Sequence, residues 1–390
     1  MTKDMPPWPW YAPDERAAVD AVLTSGKVNY WTGQEGRTFE KEYAEYLGVN
    51  HVIALANGTV AMELPLRMWG IGIGDDVVVT PRSFMASVSC AVLQGARPIF
   101  ADVDRDSGNI TAETIERVLT PKTRAIIPVH LAGWPCDMAP IMALAEERGI
   151  KVLEDCAQAH GARYRGKPVG TFGHAGAFSF CQDKIITTGG EGGLLATSDP
   201  QLWEKAWSFK DHGKTWEAVY ERQHGPGFRW VHDRFGTNLR MTEPQAAVGR
   251  KQLDKLDDWI ERRRSHAALI AARLEGLPAL RFPQTPSDVY HAQYKFYAYL
   301  QPGTLKSNWS RDRIIATANE RGAPLFSGSC SEIYLERAFA DTGWVPVERL
   351  PIARELGETS LMFLVHPTLT EDYLHHVCDV VKDVVTLALA

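Results

Sequence analysis

The hydrophobic pattern changes character near residue 50. From there, short apolar runs alternate with stretches of helical periodicity: 52–56 then 59–69, 77–80 then 84–94, 98–102 then 112–119, and 124–129 then 138–148, with 151–155 following at once. Strands that alternate with helices predict a mostly parallel sheet covered on both faces. The apolar runs are continuous rather than alternating, which fits burial on both sides. Further on, 243–277 reads as one long helix leaving this unit, with Arg and Lys crowding its interior after Leu253 so that one face is solvated. The segments 293–300, 311–321 and 371–387 then suggest a smaller C-terminal α/β unit. The predicted fold is α/β, with a large unit over residues 1–250 and a smaller one over 251–390. No internal repeat or low-complexity tract interrupts it.

Composition narrows the function classes. The chain has 390 residues, of which 45% are hydrophobic and 23% charged, ordinary proportions for a globular protein. A net charge of −6 gives no support for a nucleic-acid surface. No apolar run approaches the roughly 20 residues that a bilayer span requires, and residues 1–10, MTKDMPPWPW, lack the apolar core of a signal peptide. Cys90, Cys136, Cys156, Cys181, Cys330 and Cys378 are scattered without a Cys-x-x-Cys pair. They read as reduced thiols of a cytoplasmic protein rather than a disulfide frame or a zinc site.

Two of the apolar runs end in chemistry. The run beginning at Ala175 delivers Lys184 to a turn containing Gly189, Gly190, Gly192 and Gly193, with Ser179 five residues before the lysine; the run 151–155 ends in Asp155. Most lysines are solvated, but Phe178, Phe180, Ile185 and Ile186 argue for partial burial of this one. A carboxylate ending a buried strand is costly unless paired. A nearby Arg or a helix N-cap would satisfy Asp155, and so would a cationic pyridinium N–H. A lysine and an acid at the ends of two core strands are what a pyridoxal 5'-phosphate (PLP) enzyme needs. The amine forms a Schiff base with the cofactor aldehyde, and the carboxylate keeps the pyridine nitrogen protonated.

Other residues gain weight beside these two. Asn57, Gly58 and Thr59 stand where the first long strand turns into its helix. Gly58 permits close backbone approach, and N–H groups at a helix N-terminus favour a phosphate dianion, although Asn-Gly is also a common turn. The Ser179 hydroxyl is a candidate for the same phosphate. Phe84 begins the helix after the strand ending at Thr80; its ring either stacks on a pyridine or fills the core, the commoner fate of a phenylalanine. Gln158 and His160 follow Asp155 closely. No second His or Cys stands at ligand spacing from His160, so no metal site is expected.

Together, 57–59 (NGT), 81–84 (PRSF), 128–131 (PVHL), 154–161 (EDCAQAHG), 178–180 (FSF), Lys184, 211–213 (DHG) and 236–247 (GTNLRMTEPQAA) resemble the DegT/DnrJ/StrS family. These are fold-type-I, PLP-dependent aminotransferases acting on nucleotide-linked keto-sugars, and the resemblance covers essentially the whole chain. It implies that Lys184 is the Schiff-base lysine and proton carrier, that Asp155 binds the pyridine nitrogen, that Phe84 stacks on the ring and that Gln158 contacts its edge. Gly58, Thr59 and Ser179 would hold the phosphate, with Asn238 reaching it from the partner subunit of a homodimer with shared active sites. L-Glutamate would donate the amino group and a keto-sugar would accept it.

The chain departs from the family pattern in two places. Residues 128–138 read PVHLAGWPCDM where Tyr commonly replaces Ala132, and one extra residue separates Lys184 from Glu191. Both changes flank the substrate side. The loop 214–234 carries Trp216, Tyr220, His224, Phe228, Arg229, Trp230, His232 and Arg234. It is read either as a grip on a nucleotide or phosphate group or as a dimer contact or surface loop. Tyr30, Trp31 and His160 are the remaining substrate-side candidates.

Three further functions compete: an aminotransferase of a cyclitol ketone, a PLP-dependent sugar dehydratase of the same family, and a non-catalytic regulator. Dehydratases of the family carry histidine at the position of Lys184. A silent scaffold would be marked by loss of Lys184 or Asp155, and both are present. No helix-turn-helix module or basic stripe supports a DNA-binding regulator.

Overall fold

Seven strands form the central sheet of the computed structural model, which describes residues 5–390. In spatial order they are His51–Leu55, Gly193–Thr197, Ala175–Ser179, Lys151–Asp155, Thr123–Ile127, Asp76–Val79 and Arg97–Phe100. Gly193–Thr197 is antiparallel to both of its neighbours, and the remaining strands all run in one direction. Asp76–Val79, Ala175–Ser179 and Gly193–Thr197 are buried at every residue. That burial is why their apolar runs do not alternate.

The covering helices start and stop on local chemistry. Gly58–Met68 begins at Asn57, whose side chain accepts the Val60 N–H at 3.0 Å, satisfying one of the free donors of the first turn. Pro200–Lys210 starts with proline behind the capping carboxylate of Asp199. Met138–Arg148 ends at Gly149 in the left-handed conformation, φ 64°.

Close backbone packing holds the strand that leads to Lys184. A Cβ at Gly176 would lie 2.5 Å from the Gly170 backbone. Gly176→Ala is therefore expected to cost about 1–3 kcal/mol through overpacking, measured as a lower thermal midpoint. An unchanged midpoint would mean that the turn at Gly170 yields freely.

A second sheet of Leu280–Arg281, Phe296–Leu300 and Ser360–Phe363 is antiparallel throughout. It shares an apolar cluster including Ile270, Leu300, Ile314, Phe363 and Val381 with the helices Leu256–Leu274, Arg311–Glu320 and Glu371–Ala388. The single long helix predicted over 243–277 is instead two, Glu243–Leu253 and Leu256–Leu274. At Lys255 (φ −102°, ψ −4°) the α-helical hydrogen bonding lapses, and the Lys255 N–H turns back three residues to the Gln252 carbonyl at 3.1 Å. The second helix itself passes from one core to the other: Leu256 and Ile260 pack behind the main sheet in the same cluster as Ala246 of the first helix, while Ile270 and Leu274 enter the second cluster. The helix predicted from Phe84 is shorter, Ala86–Val92, and leaves Phe84 in the preceding turn. Among the described residues, no helix is long and apolar enough to cross a membrane.

Candidate functional site

The carboxyl ends of the parallel strands open onto a cavity of about 880 Å³, the place where open α/β sheets bind ligands. One corner is formed by Asn57, Gly58, Thr59 and Ser179. Gly58 sits so close that a Cβ on it would lie 2.6 Å from the Ser179 Cβ. The start of helix Gly58–Met68 and the Ser179 hydroxyl therefore share this corner, an arrangement suited to an anion.

Asp155, at the end of its strand, is buried in the cavity wall. Its Oδ1 accepts the Ala157 N–H at 3.0 Å and its Oδ2 accepts the Ser87 hydroxyl at 2.7 Å. Ser87 in turn lies 2.8 Å from the Ser83 hydroxyl. Two donors thus fix the plane of the carboxylate.

Lys184 enters the same cavity from the turn after Ala175–Ser179. Gly189 and Gly190 take φ values of 89° and 122° in the loop that follows, a backbone open to glycine at little cost. The Lys184 carbonyl accepts the Trp8 indole N–H at 3.1 Å. Trp8 is held edge-on against Trp259 at 5.2 Å and stacked on His366 at 5.9 Å between ring centres. The N-terminal segment thereby clamps the lysine turn.

A second amine lies beside the first. The Lys184 Nζ is 3.9 Å from Asp183 Oδ1, and the Lys295 Nζ is 3.8 Å from Asp183 Oδ2. The Tyr294 hydroxyl donates to that same Oδ2. Burial alone would raise the Asp183 carboxyl, but Lys184, the Tyr294 hydroxyl and Lys295 outweigh it and hold the group below its ordinary value. Burial pushes the Lys295 amine down to about 8, with Arg263 and Lys184 acting in the same direction and Asp183 opposing them.

The variant loop at 128–138 supports this wall. Ala132 adopts φ 55° and Gly133 φ 91°, and the left-handed region is uncommon for a residue with a side chain. The turn directs the Ala132 carbonyl to the Tyr294 N–H at 2.8 Å and the Gly133 carbonyl to the Ala292 N–H at 2.9 Å. Gln158 Oε1 accepts the Ala132 N–H at 2.7 Å while lining the cavity. The backbone of this turn therefore pins the segment that carries Tyr294 and Lys295.

Phe84 is not a core residue. It is 71% exposed at the cavity wall. His160, expected on the substrate side, is not brought there: it is fully buried behind the strand, with Nδ1 2.7 Å from the Tyr43 hydroxyl and Nε2 2.7 Å from the Ser179 carbonyl. Burial pushes its imidazole down to about 4, so it is neutral at pH 7. Tyr30 is likewise buried, its hydroxyl donating to Glu40 Oε2 at 3.0 Å beneath the Lys210 amine. The Trp31 indole N–H donates to Asp211 Oδ1 at 3.1 Å.

Arg229 and Trp230 are exposed on the 214–234 loop, Arg229 donating to the Val219 carbonyl at 2.7 Å and Trp230 packing on Phe228. Asn238 is exposed and tied through its backbone to Asp211. None of Tyr30, Trp31, Arg229, Trp230 or Asn238 lines the cavity of its own chain.

His130, Glu154 and Cys156 meet behind Asp155 with potential ligand atoms within 4.8 Å of one another. Hydrogen bonds engage this set. Glu154 accepts the N–H groups of Gly170, Phe172 and Gly173 at 2.7–2.8 Å. His130 Nδ1 accepts the Cys136 N–H at 2.9 Å, which leaves Nε2 to donate to Glu154 at 3.0 Å.

Ser87, Asp183, Tyr294, Lys295 and Trp8 escaped the reading of the sequence. Lys295 left a signal, as the only charged residue in the apolar segment 293–300. Trp8 left one too, in the Pro-Trp-Pro-Trp run of a segment read only for what it lacks.

A sheet of this topology, presenting a lysine, a buried acid and a helix start to one cavity, has the architecture of a fold-type-I aminotransferase. Residues 11–382 match the DegT/DnrJ/EryC1/StrS aminotransferase family. The chain belongs to that family, whose members are PLP-dependent aminotransferases. It is 34% identical to the UDP-N-acetyl-3-dehydro-alpha-D-glucosamine 3-aminotransferase of Acidithiobacillus ferrooxidans over 374 residues, 93% of each chain. It is also 34% identical to the GDP-perosamine synthase of Escherichia coli O157:H7, over 94% of this chain and 93% of that one. Among solved structures, an aminotransferase from Psychrobacter cryohalolentis superimposes with a TM-score of 0.96 at 53% identity, covering 99% of this chain and 100% of that one.

Proposed function

We propose that the protein uses PLP to transfer the amino group of L-glutamate to a nucleotide-linked keto-sugar, in the biosynthesis of a deoxyamino sugar. The observation that carries this reading is the convergence of Lys184, Asp155 and the Gly58–Ser179 corner on one cavity. The residues fit the cofactor: the helix start and Ser179 suit its phosphate, and the Asp155 carboxylate suits a protonated ring nitrogen. When bound, PLP condenses through its aldehyde with an amine and draws electrons from the bonds beside that nitrogen.

The chain supplies the rest. Lys184 would hold the cofactor and, as the one amine at the reacting carbons, would carry the proton between the donor α-carbon and the cofactor, and likewise for the acceptor. Asp155, oriented by Ser87 and Ala157, keeps the proton on the ring nitrogen. Phe84 would cover a ring face and Gln158 would border it. Gly58, Thr59 and Ser179 would hold the phosphate. The sugar-nucleotide acceptor is supported by the activities named for the two relatives. Residues 1–250 form the cofactor-binding unit and 251–390 the smaller one, a division supported by the second apolar cluster. The six free cysteines suit a cytoplasmic setting.

The decisive assay offers L-glutamate and a panel of UDP-, GDP- and dTDP-linked 3-keto and 4-keto sugars to the PLP-loaded protein, with the amino sugar detected by mass. Turnover of none of them would refute the acceptor class.

The active unit is a homodimer in which Asn238 completes the partner's phosphate site. Its exposure, away from its own chain's cavity, supports this. Mixing inactive Lys184→Ala and Asn238→Ala subunits under conditions of exchange is expected to restore activity above the sum of the parents, because one site of each heterodimer carries neither lesion. Given demonstrated exchange and two impaired parents, recovery no better than the sum would assign Asn238 to its own chain.

A further inference from the structure

We propose that Lys295 is the anion-binding residue of the amino-donor subsite, receiving a carboxylate of the donor amino acid next to Lys184. The inference rests on the aminotransferase reading above and names a residue that the reading leaves without a task.

The argument begins with the basic groups. Lys184 and Lys295 are the only basic side chains that line the cavity among the described residues. Covalent work occupies the Lys184 amine, and the phosphate corner is built from a helix start and a hydroxyl. Among the described residues that line this cavity, Lys295 is then the one cation left for a second anion. Its position suits a carboxylate attached to the carbon that bears the reacting amine. Lys184 and Lys295 flank the same ring, their Nζ atoms 5.2 and 4.7 Å from the centre of Tyr294.

The charge on this wall is unbalanced. Asp183 is the only carboxylate paired with either amine among the described residues. Behind them Arg263 is fully buried, with Nη1 donating to the Tyr294 carbonyl at 3.2 Å and with Nε and Nη2 lacking partners. Two amines therefore share one carboxylate, and the Arg263 guanidinium behind them, 5.0 Å from the centre of the Trp8 ring, forms no ion pair among the described residues. Asp155 is engaged by Ser87 and Ala157, and neither Glu191 nor Glu336 pairs with Lys295. The depressed Lys295 amine fits the same picture, because an incoming carboxylate would stabilise its charged form. An amino acid brings the missing charge, and departure of the keto acid product removes it again.

The test uses the PLP-loaded enzyme and glutarate, a dicarboxylate with no amine to react. Lys295→Met is expected to weaken calorimetric binding of glutarate by about tenfold or more, the worth of a charge-assisted hydrogen bond. The KM for L-glutamate in the donor half-reaction should rise by a similar factor, and Lys295→Arg should recover most of both. Three results would overturn the proposal: no glutarate binding by wild-type enzyme, equal binding by wild type and Lys295→Met, or equal losses in the donor and acceptor half-reactions. Cofactor absorbance separates this failure from that of the parent reading. Absorbance kept in Lys295→Met with unchanged glutarate binding rejects only the subsite, whereas wild-type protein that acquires no such absorbance on loading rejects the aminotransferase assignment itself.

Discussion

Lys184→Ala is expected to lower kcat by about 10⁴-fold or more, the upper range for loss of an acid–base group, and to remove the adduct that borohydride traps in wild-type protein. The fold should survive. The lysine side chain contributes a 3.9 Å approach to Asp183, and that carboxylate keeps Lys295 and the Tyr294 hydroxyl when the amine is gone. The backbone clamp from Trp8 acts on the residue 184 carbonyl, which alanine retains. Peptide mapping after borohydride treatment should place the label on residue 184 in wild type and nowhere in the variant. Full turnover with a reducible adduct in the variant would remove Lys184 from the mechanism.

Asp155→Asn is expected to reduce kcat by about 10²–10³-fold, the scale of losing one preorganised electrostatic partner. The shapes match, so packing is preserved and the defect is electronic: a neutral amide does not hold a proton on the ring nitrogen. The amide oxygen can keep one of the two donors, the Ser87 hydroxyl, while the bond from the Ala157 N–H is lost. A wild-type rate with normal cofactor absorbance would reduce Asp155 to a structural carboxylate.

Much of the large unit was legible because its strands are buried on both faces and its helices are short. The apolar residues Val152 and Leu153, and Ala175 to Phe178, marked two buried strands, with Asp155 and Lys184 near their ends. The Asn57 corner was legible because an N-cap and a glycine stand where a strand becomes a helix. Legibility failed wherever the decisive contact was distant in sequence. The break at Lys255 left no mark in the apolar pattern, because Leu253 and Leu256 on either side of it pack in the same cluster. His160 looked available because a motif places it near Asp155, yet Tyr43 and the Ser179 carbonyl claim both of its ring nitrogens. Phe84 was ambiguous for the opposite reason: hydrophobicity predicts burial, and only the turn geometry puts the ring on the cavity wall. Lys295 acquires meaning only when it meets Asp183 across more than a hundred residues of chain.

The two walls of the cavity hang from different supports. Gly58, Asp155, Ser179 and Lys184 sit on or next to strands of the main sheet, whereas Lys295 directly precedes Phe296–Leu300 and Met362 lies in Ser360–Phe363, both strands of the second sheet. On the function proposed above, substitutions on the second wall are expected to change substrate preference and to leave cofactor binding in place. A directed library confined to the second wall should yield variants that stay yellow while their preferences scatter.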